Sequence, residues 1–125
     1  MFSYERRYKI GPATRILHFL FAFMEADMKE SYFQKKLIDE IKVRFPGSIV
    51  LKNDSSYVQG IPDLTVFWKD KWATLEVKKS SNAHHQPNQD HYVDKMNSMS
   101  FSAFIYPENK EEVLDAMERS FKGCS

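Results

Sequence analysis

Residues 60–78 read GIPDLTVFWKDKWATLEVK. Two apolar runs, Asp63 to Trp68 and Trp72 to Lys78, flank the polar triplet Lys69-Asp70-Lys71, which is the pattern of a β-hairpin. Side chains alternate along a strand, so Ala73, Leu75 and Val77 share one face while Thr74, Glu76 and Lys78 share the other. The first face reads as core. The second carries two charges, and Asp63, at the start of the neighbouring strand, can lie near Glu76 across the hairpin. Burying charge is costly unless it is paired or bound to a metal, and two adjacent carboxylates repel one another. A hard divalent cation removes that conflict. Mg²⁺ suits one or two carboxylates and keeps room for phosphate oxygens. Lys78 would point at the same site and neutralise charge developing at phosphorus. The alternative makes Asp63 a turn cap after Pro62 and gives Glu76 and Lys78 a solvent-facing ion pair.

Working outward from the hairpin, Lys29 to Phe45 carries Phe33, Leu37, Ile38, Ile41 and Phe45 at spacings of three and four, one apolar helical stripe. Pro46-Gly47 ends it. Ser48 to Lys52, SIVLK, reads as a short strand and Asn53-Asp54-Ser55-Ser56 as a loop. Ser80 to Asn88 is polar and loop-like. Pro87 to Met99 is compatible with a helix that has proline in its first turn, and FSAFIY, Phe101 to Tyr106, with another strand. Pro107 opens a last helix to about Phe121, with Val113, Leu114, Met117 and Phe121 as its apolar stripe. The order is αβββαβ and then α, and it argues an α/β class with helices flanking a sheet.

The chain has 125 residues, enough for one domain with a real core at 42% hydrophobic content. A formal net charge of +1 gives no global basic field. Locally, Lys29 to Lys52 holds six basic and three acidic residues, and Glu108 to Glu118 five acidic and one basic, so a polyanion would meet the first segment; ordinary solvated helix faces are the alternative. The single cysteine, Cys124, has no partner for a disulfide or a thiolate metal site, and a cytoplasmic location is expected.

Residues 1–28 read as an N-terminal extension and residues 29–125 as the domain. Arg6 and Arg7 precede the apolar run ILHFLFAFM, Ile16 to Met24, which falls short of the roughly 20 residues that span a bilayer, so no membrane partner is expected. No small-x-small cleavage site follows it. A start at Met28 would leave 98 residues with every group named above. The extension is either accessory or an extra helix packed on the core.

Pro62-Asp63, then Glu76-Val77-Lys78 after twelve intervening residues, resembles the PD-(D/E)xK nuclease superfamily. Gly60-Ile61-Pro62-Asp63-Leu64, then Leu75-Glu76-Val77-Lys78, then Gln89, resembles more narrowly its VRR-NUC domain group, of the stand-alone bacteriophage type, over about residues 29 to 106. The Val-Arg-Arg stretch that names the group is not present. The resemblance implies a restriction-endonuclease-like αβββαβ core, a mixed central sheet flanked by helices, plus a C-terminal helix.

It further implies a Mg²⁺-dependent deoxyribonuclease, with Mn²⁺ as a substitute and DNA as partner, acting as a structure-selective endonuclease in replication, recombination or repair. If phage-encoded, it would work in the host cytoplasm. Asp63, Glu76 and the backbone carbonyl of Val77 would be metal ligands and Lys78 the catalytic lysine. Glu30 at the start of the first helix would complete the acidic cluster, with Glu40 second, and Gln89 would face the site. The alternatives are a Holliday-junction resolvase acting as a homodimer and a non-catalytic nucleic-acid-binding module. Lys79 and Lys52 are candidate phosphate contacts, as is the loop of Ser55, Ser56 and Tyr57. His84, His85 and His91 are three histidines within eight residues, and plain loop or phosphate contact is preferred for them over a metal site.

Overall fold

The computed structural model describes residues 12–123; Arg6, Arg7 and Cys124 lie outside them. Three helices and four strands follow in the order α1 (Pro12–Arg44), β1 (Ile49–Lys52), β2 (Leu64–Trp68), β3 (Lys71–Val77), α2 (Pro87–Met99), β4 (Phe101–Ile105) and α3 (Lys110–Phe121). The strands form one sheet in the order β1-β2-β3-β4. The first two pairings are antiparallel and β3 with β4 is parallel, so the sheet is mixed. The chain is therefore an α/β protein.

The hairpin forms as the alternation predicts. Trp68 pairs with Lys71 and Leu64 with Leu75 across a two-residue turn, in which Lys69 takes a positive φ of 58°. Leu64, Val66, Ala73, Leu75, Val77 and Ile105 line one face and are fully buried against Leu37, Ile41 and Phe45 of α1 and Leu114, Met117 and Phe121 of α3. The rings of Phe45, Trp68 and Phe121 close this core at its far end, Phe45 lying 5.2 Å from Trp68 and 5.3 Å from Phe121. The predicted stripe of α3, Val113, Leu114, Met117 and Phe121, is buried throughout.

The other sheet face is divided. Over β3 and β4 it is covered by α2, whose Val93 is buried and whose Met96 sulfur accepts a hydrogen bond from Thr74 Oγ1. Over β1 and β2 it is open, leaving Ile49, Leu51 and Phe67 exposed. Both faces of β3 are consequently buried.

The first helix begins at Pro12, seventeen residues before the sequence pattern starts. No glycine or proline stands between Pro12 and Pro46, so nothing interrupts backbone hydrogen bonding through Met24 and Lys29. Residues of the expected extension from Pro12 onward are thus the first turns of α1, with Ile16, Leu17, Phe19, Leu20, Phe21 and Met24 exposed. Among the described residues no helix is long and apolar enough to cross a membrane. At its other end α1 stops at Pro46-Gly47, where Gly47 takes φ 86°. Trp68 Nε1 donates to the Pro46 carbonyl at 3.0 Å. Arg44 bridges to Asp115 and Glu118 of α3.

Candidate active site

Extending the β2–β3 register by one residue sets Asp63 directly opposite Glu76. Asp63 Oδ2 accepts the Val77 N–H at 2.9 Å, which ties the end of β2 to β3. In a strand the N–H and C=O of one residue leave on the same side, so the Val77 carbonyl also faces the Asp63 side. Lys78 follows, its own N–H turned the other way to the Ile105 carbonyl at 2.9 Å.

Glu76 and Lys78 are not solvent-facing. They are 3% and 7% exposed, because the loop after β3 and the first turn of α2 fold over them. Lys78 Nζ donates to Gln89 Oε1 at 2.7 Å and to the His84 carbonyl at 3.0 Å. Gln89 Nε2 donates to Glu76 Oε2 at 2.9 Å. The direct Lys78 Nζ to Glu76 Oε2 separation is 3.7 Å. Gln89 Oε1 also accepts the Gln86 N–H at 3.0 Å, as part of the capping box that starts α2. One amide therefore caps a helix and bridges the lysine to the glutamate.

Glu76 Oε1 is buried and has no hydrogen-bond partner among the described residues. Burial and the adjacent Asp63 carboxylate push the Glu76 pKa up to about 8, against the pull of Lys78, and the charge of Glu30 adds to the rise. Burial also raises Asp63, opposed by the Val77 N–H and by Lys78. The first-helix candidates are thereby placed differently. Glu30 is near enough to act on Glu76, whereas Glu40 accepts a hydrogen bond from Lys110 Nζ at 2.7 Å. Among the described residues no group of three His, Cys, Asp or Glu side chains is arranged to hold a metal ion. The structure brings Asp63, Glu76, Lys78 and Gln89 together, and the charge of Glu30 acts on Glu76.

The other candidates disperse. Lys52 pairs with Leu64 and so belongs to the sheet face opposite Asp63. Lys79 and Tyr57 are both exposed, Tyr57 on a turn closed by the Asp54 carboxylate to Ser56. His84 contributes its backbone carbonyl only, His85 stacks on Phe104 at 3.9 Å, and His91 lies edge-on to Tyr92.

Two supporting residues, quoted in the sequence only as parts of a motif and a loop, take roles of their own in the structure. Asn53 donates from Nδ2 to the Pro62 carbonyl at 2.9 Å and to Thr65 Oγ1 at 2.8 Å, and its N–H bonds the Asp63 carbonyl, so it holds the approach to Asp63. Gly60 takes φ 89°, and a Cβ there would lie 2.3 Å from Asn88 Cβ. Only glycine lets this loop meet the first turn of α2, beside Gln89.

What these elements define is an α/β protein with a buried acid–lysine–amide cluster at the end of a mixed sheet. No protein-family model matches the chain, and no curated protein matches its sequence.

Proposed function

We propose that the protein is a metal-dependent nuclease with a restriction-endonuclease-like core, and that it hydrolyses DNA phosphodiesters at the Asp63–Glu76–Lys78 cluster. The observation that carries the reading is the opposition of two carboxylates across the hairpin, with Glu76 Oε1 buried without a hydrogen-bond partner among the described residues and the Lys78 ammonium held in place. The order α1-β1-β2-β3-α2-β4 is the one the PD-(D/E)xK resemblance implies.

The donors fit a hard cation of the Mg²⁺ or Mn²⁺ type. Asp63, Glu76 and the Val77 carbonyl would hold it, and two carboxylates plus waters suffice for Mg²⁺. When bound, the cation would offset the carboxylate repulsion, polarise a phosphate oxygen and make water nucleophilic at neutral pH. The chain's own part is electrostatic and positional. Lys78 presents a compact positive charge where negative charge develops as water attacks phosphorus and the 3′ oxygen leaves. Gln89 and the His84 carbonyl fix its Nζ, and the covering of α2 keeps bulk water from screening it.

Cleavage of a panel of DNA substrates (linear duplex, nicked, flap, fork, four-way junction and single strand) with Mg²⁺, Mn²⁺ or EDTA tests this. Asp63→Ala and Glu76→Ala should each abolish cleavage with the fold retained; full activity in both ends the reading. A resolvase working as a homodimer is the second reading, favoured by the exposed apolar side chains of α1 between Ile16 and Met24. A monomer in solution by sedimentation, both alone and on a four-way junction, would exclude it.

A further inference from the structure

Lys29, Tyr32 and Lys36 recur at helical spacing and share one face of α1. That face fronts a cavity of about 790 Å³, closed on its other sides by Lys79, just beyond β3, and by Pro107 and Lys110 at the start of α3. Four lysines thus converge from three segments, against two acidic residues in the lining, Asp39 and Glu40. Lys110 is engaged by Glu40. Lys79 makes no ion pair or side-chain hydrogen bond among the described residues. Tyr32 is 64% exposed, and Lys36 Nζ sits 5.5 Å from its ring centroid.

An exposed aromatic set among lysines is open to a ligand. The like charges repel, and among the described residues no carboxylate closes on Lys79 or Lys36. The arrangement suits a ligand that alternates phosphate with a flat apolar ring. A single nucleic-acid strand does so, its backbone following the lysines and a base stacking on the aromatic. The groove also meets the acid–lysine cluster at one end of β3: Lys79 is the residue after Lys78, and Glu30, whose charge reaches Glu76, is the residue after Lys29.

We infer that the α1 groove formed by Lys29, Tyr32, Lys36, Lys79 and Lys110 binds a single nucleic-acid strand by its phosphates and stacks one base on Tyr32. This deepens the nuclease reading and rests on it for where the strand leads. The occupant is a strand rather than a free nucleotide, because the lysines span about two turns of α1, roughly 10 Å from Lys29 to Lys36, more than one phosphate needs.

The test is fluorescence anisotropy of a labelled oligothymidylate, read in EDTA so that no cleavage enters, across a salt titration. Lys36→Ala/Lys79→Ala should bind roughly tenfold more weakly and lower the salt slope by about 1.4, two phosphate contacts on a single strand. Tyr32→Ala should weaken binding by about fivefold or more with the slope unchanged. Lys71→Ala/Lys95→Ala, an equal charge loss at the start of β3 and on α2, should do neither. Affinity and slope unchanged in the double lysine variant overturn the inference, as does competition by thymidine monophosphate at the oligonucleotide's own concentration. So does a duplex of equal length that binds as tightly and loses as much on Tyr32→Ala. A wild-type chain that cuts DNA while the variants bind normally removes the groove and spares the nuclease. One that binds through these lysines but never cuts with Mg²⁺ or Mn²⁺ removes the nuclease and spares the groove.

Discussion

Glu76→Gln in metal-free protein should stabilise the fold, increasingly so as pH rises. The folded protein holds the Glu76 proton to about pH 8, while an unfolded chain releases it near the ordinary 4.5. Between those values the folded state binds the extra proton, so wild-type stability falls with rising pH by about 1.4 kcal/mol per pH unit and levels off above 8. The full displacement corresponds to about 5 kcal/mol as a ceiling. Glutamine is isosteric and can keep the bond from Gln89 Nε2, but carries no charge to be repelled by Asp63. The difference between variant and wild type should therefore be small at pH 4.5 and several kcal/mol at pH 8. Urea unfolding in EDTA at half-unit pH steps measures it. Adding Mg²⁺ at pH 8 should raise the wild-type midpoint and leave the variant's largely unchanged. A difference that stays flat from pH 4.5 to 8 would refute the argument, since Glu76 would then titrate as it does in the unfolded chain and the two carboxylates would not be in conflict.

Gly60→Ala should cost about 3 kcal/mol in urea unfolding, from a positive φ and the collision with Asn88, and should slow cleavage by moving the first turn of α2; a neutral change would show that the loop yields freely. Lys78→Ala should lower the single-turnover cleavage rate by roughly 100-fold or more while DNA affinity changes little, and Lys78→Arg should not restore it, because a planar guanidinium does not replace an ammonium; weak binding with a normal saturated rate would make Lys78 a docking residue. Glu30→Gln should lower cleavage far more than Glu40→Gln, which only loosens the pair with Lys110; the reverse ranking would place the acidic cluster on the wrong turn of α1.

The features legible in the sequence are those that depend on near neighbours. The stripes of α3 and of α1 from Phe33 to Phe45, the hairpin turn and the two faces of β3 all follow from periodicities of 3.6 and 2. The opposition of Asp63 and Glu76 follows from a register counted back from the turn. What covers Glu76 and Lys78 is not legible, because it depends on residues 80–89 folding back over the strand that precedes them. Gly60 and Asn53 escaped for the same reason: their partners Asn88 and Thr65 lie 28 and 12 residues away, and a polar loop gives no periodicity to read. The length of α1 was hidden by a change in composition near Met28 that is not a change in backbone preference.

Gln89 places a chemical restriction on its own position. Its oxygen takes one N–H from the lysine ammonium and one from the backbone of Gln86, and its nitrogen gives a hydrogen to Glu76. Glutamate could supply the acceptors but would bring a third negative group against Asp63 and Glu76. Asparagine is one methylene too short to span the same three partners, and lysine or arginine has no acceptor at all. A primary amide on a two-carbon stem meets all three demands at once, so position 89 is narrowly constrained by valence and reach.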